Sequence, residues 1–199
     1  MQQKLFQVLI SLGSDGWESR SEQQLCEGLR ARPEDVIIVD TPRAHTPFVE
    51  CFHASADLII TPLNDSLVGL SVIAEIDPNT GSVVRPNQYA EAVWTARHAR
   101  AARDGGSIAW AVLRNRLSTL DAHNKRMMAD VLGKKADRLE FTAGPGFGER
   151  VIFRELFLQG LTLSDFEDRT AGLAWTVSHV AARQELRDLL ERVECSLDG

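Results

Sequence analysis

Short runs of β-branched and aliphatic residues, separated by longer stretches of helical period, constrain this chain more than any other feature. VIIVD (36–40), DLIITP (57–62), IAWAVLRN (108–115) and RLEFTA (138–143) each read as a strand, and LFQVLIS (5–11), interrupted by Gln7, is a fifth candidate. Runs this apolar suit strands covered on both faces, where no side chain needs to meet water. The intervening periodicity predicts helices over 19–31, 46–55, 65–76, 88–103, 121–136, 148–158 and 173–194. Start signals precede several of them: Asn64 or Asp65 before the third, Pro86 near the fourth and Asp121 before the fifth. Strand, helix and strand in alternation define an α/β chain, with a mainly parallel sheet flanked by helices. The last predicted helix sets Leu173, Val177, Val180, Ala181, Leu186, Leu189, Leu190 and Val193 on one broad stripe, expected to pack on the sheet or a partner.

Length and composition narrow the class further. With 199 residues, 44% of them hydrophobic, the chain can fill one core, and no linker-like shift in composition divides it, so one domain over 1–199 is expected. A net charge of -6 does not advertise a nucleic-acid binder, although a local basic stripe is compatible with an acidic total. Arg97, His98, Arg100 and Arg103 form such a stripe on the fourth predicted helix, either to meet phosphate or as a solvated face. Cys26, Cys51 and Cys195 lack CxxC spacing, which argues against a disulfide framework or zinc site and fits a reducing, cytoplasmic setting. They read as small apolar residues. The N-terminal apolar stretch is too short and polar for a signal peptide or membrane span. His45, His53 and His179 are not at metal-ligand spacing, and neither GxSxG nor HExxH occurs.

In open parallel sheets, ligands sit beyond the carboxyl ends of the strands. That rule selects Asp40-Thr41-Pro42, the stretch from Thr61 to Asp65, Arg114-Asn115-Arg116 and the turn from Gly144 to Gly146, all expected on one edge. An acid directly after a buried strand can hold a metal-bound water near nucleotide phosphates; before Thr-Pro it is equally good turn chemistry. A phosphate loop would decide between them, and the sequence has no GxxxxGK[ST]. Its four lysines are at 4, 125, 134 and 135, and the pair Gly133-Lys134 has no glycine five positions upstream. The turn SLGSDGWES (11–19) has no lysine and carries two acids where phosphate would need positive charge.

DVIIVDTP, ADLIITPLNDSLVGL, VLRNRLST, GPGFGERVIFRELFLQGLTLSD and HVAARQELRDLL occur in this order. Together they resemble the MipZ branch of the ParA/MinD deviant Walker ATPases, over roughly 34–192. The resemblance implies a P-loop NTPase-like fold of the SIMIBI/ParA type, ATP and Mg²⁺ as cofactors and ATP-driven homodimerisation. It also implies a role in placing the division septum through FtsZ, in concert with the chromosome-partitioning protein ParB. Carried over to this chain, Asp40 is the catalytic, magnesium-side Walker B acid, and Thr41 and Pro42 open switch II. Asn115 reads adenine with Arg116 beside it, since a side-chain amide donates and accepts at once, while Pro145 and Gly146 line the base.

The chain also departs from that pattern. The family's Gly-rich phosphate loop with two lysines and its second acidic signature are missing, so the fold is expected to be N-terminally incomplete and ATP hydrolysis by this chain alone is not expected. Arg43-Ala44 replace the usual Gly-Gly after DTP. Where the family presents a basic DNA face, this chain has His123, Lys125, Arg126, Met127 and Gly148, so nucleoid binding should be weak or absent. His123, Lys125 and Arg126 are the remaining candidates for DNA contact. Either the chain is a piece of a longer ATPase, with about 60 to 80 residues upstream, or it is a non-hydrolysing relative that binds FtsZ, ParB or a full-length homologue. Arg150 and Arg154 in GERVIFRELFLQG are expected to bridge acids or to sit at a dimer face.

Overall fold

The first and second apolar runs pair in parallel, β1 (Leu9–Ser11) against β2 (Ile38–Asp40), with Ser11 opposite Asp40. The computed structural model describes residues 9–11, 24, 26–28, 36–42, 46–64, 66–77, 80, 82–117, 132–133, 138–163, 165 and 177–197. Chain contacts divide the molecule into two units, residues 1–57 with 92–108 and residues 58–91 with 109–199.

In the first unit, β2 leads to α1 (Pro47–Ser55), whose start is written locally. Thr46 is extended and its Oγ1 accepts from the Val49 N–H at 3.3 Å, while Pro47 occupies the first turn, where a missing N–H costs nothing. The end of α1 is satisfied from α3 (Gln88–Asp104). Arg100 donates to the carbonyls of Ser55 (3.2 Å) and Ala56 (3.1 Å), and Arg103 donates to that of Ala54 (2.7 Å). These carbonyls otherwise end a helix without partners. Arg97 donates to the Ile108 carbonyl at 3.0 Å. Three of the four members of the basic stripe are therefore spent on the fold rather than presented to phosphate. Cys26 and Cys51 meet sulfur to sulfur with Cα atoms 6.4 Å apart, within disulfide reach, which corrects the expectation of three unrelated apolar cysteines. Cys195 is free and exposed.

The second unit is built on a parallel three-stranded sheet. β3 (Leu58–Asn64) pairs along its whole length with β6 (Ala109–Asn115), from Leu58 opposite Ala109 to Asn64 opposite Asn115, and β6 pairs with β7 (Thr142–Ala143). Trp110 to Leu113 are all buried, so β6 is covered on both faces as its sequence predicts. β3 differs: Ile59, Thr61 and Leu63 are buried while Ile60, Pro62 and Asn64 are exposed, so only one of its faces is covered. Trp110 anchors the core between Phe141 (ring centroids 5.5 Å apart) and Tyr89 (6.3 Å). Burying rings of this size contributes about 1.5–3 kcal/mol each.

Two predicted elements change identity. The helix expected over 65–76 stops early: α2 covers only Leu67–Leu70, and Ala74–Ile76 form β4, antiparallel to β5 (Val83–Pro86). The sequence DPNTG (77–81) between two β-branched runs is turn chemistry, and Asp77 Oδ1 takes the Thr80 N–H at 3.2 Å. RLEFTA is a strand only at Thr142–Ala143, because Glu140 has a left-handed φ of 58° and cannot continue an extended chain. Near the C-terminus, α4 (Val151–Leu158) packs on α5 (Val177–Leu197) through Ile152, Leu156, Leu163 and Ala182, with Phe153, Leu161 and Leu186 around them. The buried stripe of α5 thus runs through Ala182, and Val177, Val180 and Leu190 of the expected stripe are exposed.

Candidate functional site

The carboxyl ends of β3, β6 and β7 place Asn64, Asn115 and the turn after Ala143 at one end of the second unit's sheet. The turn does not leave the sheet. Gly144 N–H bonds to the Val112 carbonyl (2.9 Å), Phe147 N–H to that of Arg114 (2.8 Å), Leu117 N–H to that of Phe147 (2.9 Å) and Glu149 N–H to that of Leu117 (3.2 Å). GPGFGE thus continues the parallel pairing past the end of β6, and the segment carrying Asn115 and the segment carrying Pro145 and Gly146 are held side by side. The approach is close at both glycines. A Cβ on Gly144 would strike the Leu113 side chain, and one on Gly146 would lie 2.5 Å from Leu117 Cδ1.

Asn115 ends β6 with an exposed side chain. Its Oδ1 accepts from the Arg116 N–H at 2.9 Å, which ties the amide to the next residue's backbone and leaves Nδ2 without a partner among the described residues. Arg116 has φ 57°, an unusual value for a residue with a Cβ, and its guanidinium reaches Glu149 at 3.4 Å. The arrangement offers an outward amide donor, an acceptor oxygen with a spare lone pair and a glycine-edged loop beside them. That set fits a planar heterocycle that both donates and accepts, such as adenine.

A side chain far away in sequence holds the loop. Glu185 on α5 takes the Gly148 N–H (3.2 Å) and Arg150 Nε (3.2 Å) on Oε2, and Arg150 Nη2 (2.7 Å) on Oε1. Both side chains are largely buried, and the bond to Glu185 pushes the Arg150 guanidinium further up from its ordinary pKa, with desolvation opposing it. Sequence reasoning anticipated an acid for Arg150 but not which one, since Glu185 is one of many acids on a mixed-charge helix with no local signal. The pair of Thr61 with Tyr89 was also missed. Thr61, expected at the ligand edge, is buried instead; its Oγ1 takes the Trp110 Nε1–H at 3.0 Å and bonds the Tyr89 hydroxyl at 2.9 Å. Burial pushes the Tyr89 phenol up, and the bond to Thr61 partly offsets it.

Asp40 ends β2 in the first unit, exposed and unpaired among the described residues, with Thr41 half-buried and Pro42 exposed after it. One carboxylate and one hydroxyl suit a cation held through water better than a cation caged by protein, and no group of three His, Cys, Asp or Glu among the described residues could hold a metal. His123, Lys125 and Arg126 lie outside the described residues.

Strands joined through helices into a parallel sheet, with polar and glycine-rich ends at its carboxyl edge, define an α/β protein of P-loop NTPase-like fold. A family model described as ATPase MipZ matches residues 14–197, and the chain belongs to the MipZ ATPase family. The match reaches further toward the N-terminus than the motif resemblance at 34–192. No curated protein matches the chain. No helix among the described residues is long and apolar enough to cross a membrane.

Proposed function

We propose that the chain binds an adenine nucleotide at the carboxyl end of β6 and acts, as a cytoplasmic MipZ-type protein, in the spatial control of cell division through FtsZ and ParB. The observation that carries this reading is the backbone pairing of the GPGFGE loop with Val112, Arg114 and Leu117, which runs the glycine-rich segment alongside the strand end that carries Asn115. Asn115 supplies the discriminating hydrogen bonds, Pro145 and Gly146 the wall, and Arg116 a charge beside them. Asp40 would hold Mg²⁺ through a water, and Thr41 and Pro42 would begin the segment that responds to it. In this reading nucleotide binding favours a homodimer. DNA contact through His123, Lys125 and Arg126 is a minor, separate contribution.

The sequence contains no GxxxxGK[ST], which favours a second reading: a non-hydrolysing binding module that uses the nucleotide, if at all, as a structural ligand. An in-frame GGxGKT in the genomic DNA upstream of Met1 would sink this second reading; a stop codon close to Met1 would sink the idea of a longer ATPase.

Titration of the chain with ATP, ADP and GTP, followed by amide NMR, tests the site. Adenine nucleotides should shift the resonances of Asn115, Gly144, Gly146 and Gly148, GTP should not, and Asn115→Ala should abolish the response. No response to any nucleotide would overturn the site assignment. Assembly of purified FtsZ, followed by light scattering with and without the chain and ParB, tests the division role. An unchanged scattering trace would remove it.

A further inference from the structure

Backbone hydrogen bonds pair GPGFGE with β6 and Leu117, whereas the Gly148 N–H is received by a side chain, that of Glu185. Glu185 lies on α5, outside the sheet, and its two oxygens collect that N–H together with two contacts from Arg150. Arg150 is the residue before the first turn of α4, in an extended conformation and with no side-chain cap of its own. Its guanidinium is directed away from its own helix, to Glu185 and, at 3.4 Å, to Ser178 Oγ. One carboxylate therefore fixes both ends of a short segment: Gly148, at the end of the base loop, and Arg150, at the start of α4.

We propose that Glu185 is a positioning residue for the base site: by clamping Gly148 and Arg150 it fixes the loop carrying Pro145 and Gly146 at the distance at which adenine fits beside Asn115. The proposal rests on the nucleotide reading above. Three features set this contact apart from an ordinary surface ion pair. It is bidentate, its side chains are only 23% and 19% exposed, and it includes a backbone N–H of the loop itself. A glycine-rich segment has more conformations to lose than any other, so an anchor at one of its glycines acts on the whole loop. Binding a base then costs less, because the wall is already in place. Arg116 and Glu149 form a second ion pair to the loop, but with side chains 63% and 49% exposed it cannot replace the clamp.

Two measurements on the full chain test the clamp, using Glu185→Ala and the milder Glu185→Gln, which keeps one acceptor oxygen. In the absence of ligand, amide exchange at Gly148 should speed up by about tenfold in Glu185→Ala, with a smaller effect in Glu185→Gln, while Phe147 and Leu117, held by the ladder, change little. With ligand, the preference for ADP over GDP should fall by about tenfold. A variant that merely folded less well would lose affinity for both nucleotides in proportion and keep the ratio. Unchanged exchange at Gly148 would show that there is no clamp and overturn the proposal. Faster exchange with an unchanged ADP-to-GDP ratio would leave Glu185 a structural contact, and would overturn its positioning role. A wild-type chain that binds neither nucleotide would overturn the underlying site assignment and the positioning role with it, whatever the exchange shows. If Glu185→Ala does not fold, Glu185→Gln carries both measurements with the same outcomes.

Discussion

At single positions, the chemistry that fixes this fold is short-range and specific. Gly69 lies so close to the Asn64 carbonyl that a Cβ would overlap it, and the obstacle is backbone rather than the end of a flexible side chain. Ser66 holds the same turn, accepting the Gly69 N–H on Oγ at 3.1 Å. Gly69→Ala should therefore destabilise the protein by about 1–3 kcal/mol in urea denaturation, although alanine is the better helix former. Gly146→Ala, whose Cβ meets the movable end of Leu117, should cost less. The buried hydroxyl of Thr61 serves Trp110 and Tyr89 together. Thr61→Val keeps the shape but leaves the indole N–H without its acceptor, so a loss of about 1–3 kcal/mol is expected. Thr61→Ser keeps the oxygen and should cost less by the same measurement. A stability loss in Thr61→Val no larger than in Thr61→Ser would show that the hydroxyl is not serving the indole.

Among elements, what the sequence revealed and what it hid have different physical origins. Continuous apolar runs made β3 and β6 visible, and the helical period over 46–55 located α1, because each signal is contained within a few neighbouring residues. The β4–β5 hairpin was hidden by a helical period that runs through the same apolar residues and outweighed the turn chemistry of DPNTG. Asn115 and the glycines of 144–146 were legible as strand-end residues; Glu185 was not, since the contact that defines it spans 37 residues. The basic stripe of α3 was readable as charge but not as a cap, because its purpose depends on α1 ending beside it. The cap carries a pH signature. Asp104 accepts from the Gly106 N–H at 2.9 Å and from Arg103 and Arg100, and these bonds, the Gly106 N–H foremost, pull its carboxyl down to about 2. A carboxyl held below its unfolded value stabilises the fold above that unfolded value and loses the contribution as pH falls through the folded one. Acid denaturation should show this between about pH 4 and pH 2, and Asp104→Asn should flatten that part of the profile without changing its neutral limb. An identical acid limb in the variant would assign the loss to other carboxylates.

For the molecule as a whole, the decisive quantity is where positive charge is available to a nucleotide. The chain carries a net charge of -6, and its four lysines are outside any GxxxxGK[ST] loop, while Arg100, Arg103 and Arg150 are committed to carbonyls and carboxylates of the fold. A nucleotide held here should therefore be gripped by its base, with little contributed by its phosphates. Four consequences follow from that balance and separate it from a phosphate-gripping site. Adenosine should bind within about threefold of ATP, since each well-made phosphate contact is worth roughly tenfold or more. Raising the salt should change affinity little, because screening weakens the attraction of phosphate charge and leaves base contacts alone. Removing Mg²⁺ with EDTA should alter adenine-nucleotide affinity by less than about threefold, and ATP hydrolysis should match a protein-free control, because the main electrostatic stabiliser of phosphoryl transfer is worth several orders of magnitude in rate. Calorimetry with adenosine and ATP at low and high salt, in the presence and absence of Mg²⁺, alongside a phosphate-release assay, measures all of this on one preparation. Binding of ATP much tighter than adenosine, dependent on Mg²⁺, would mean that the chain grips phosphates without the lysine loop.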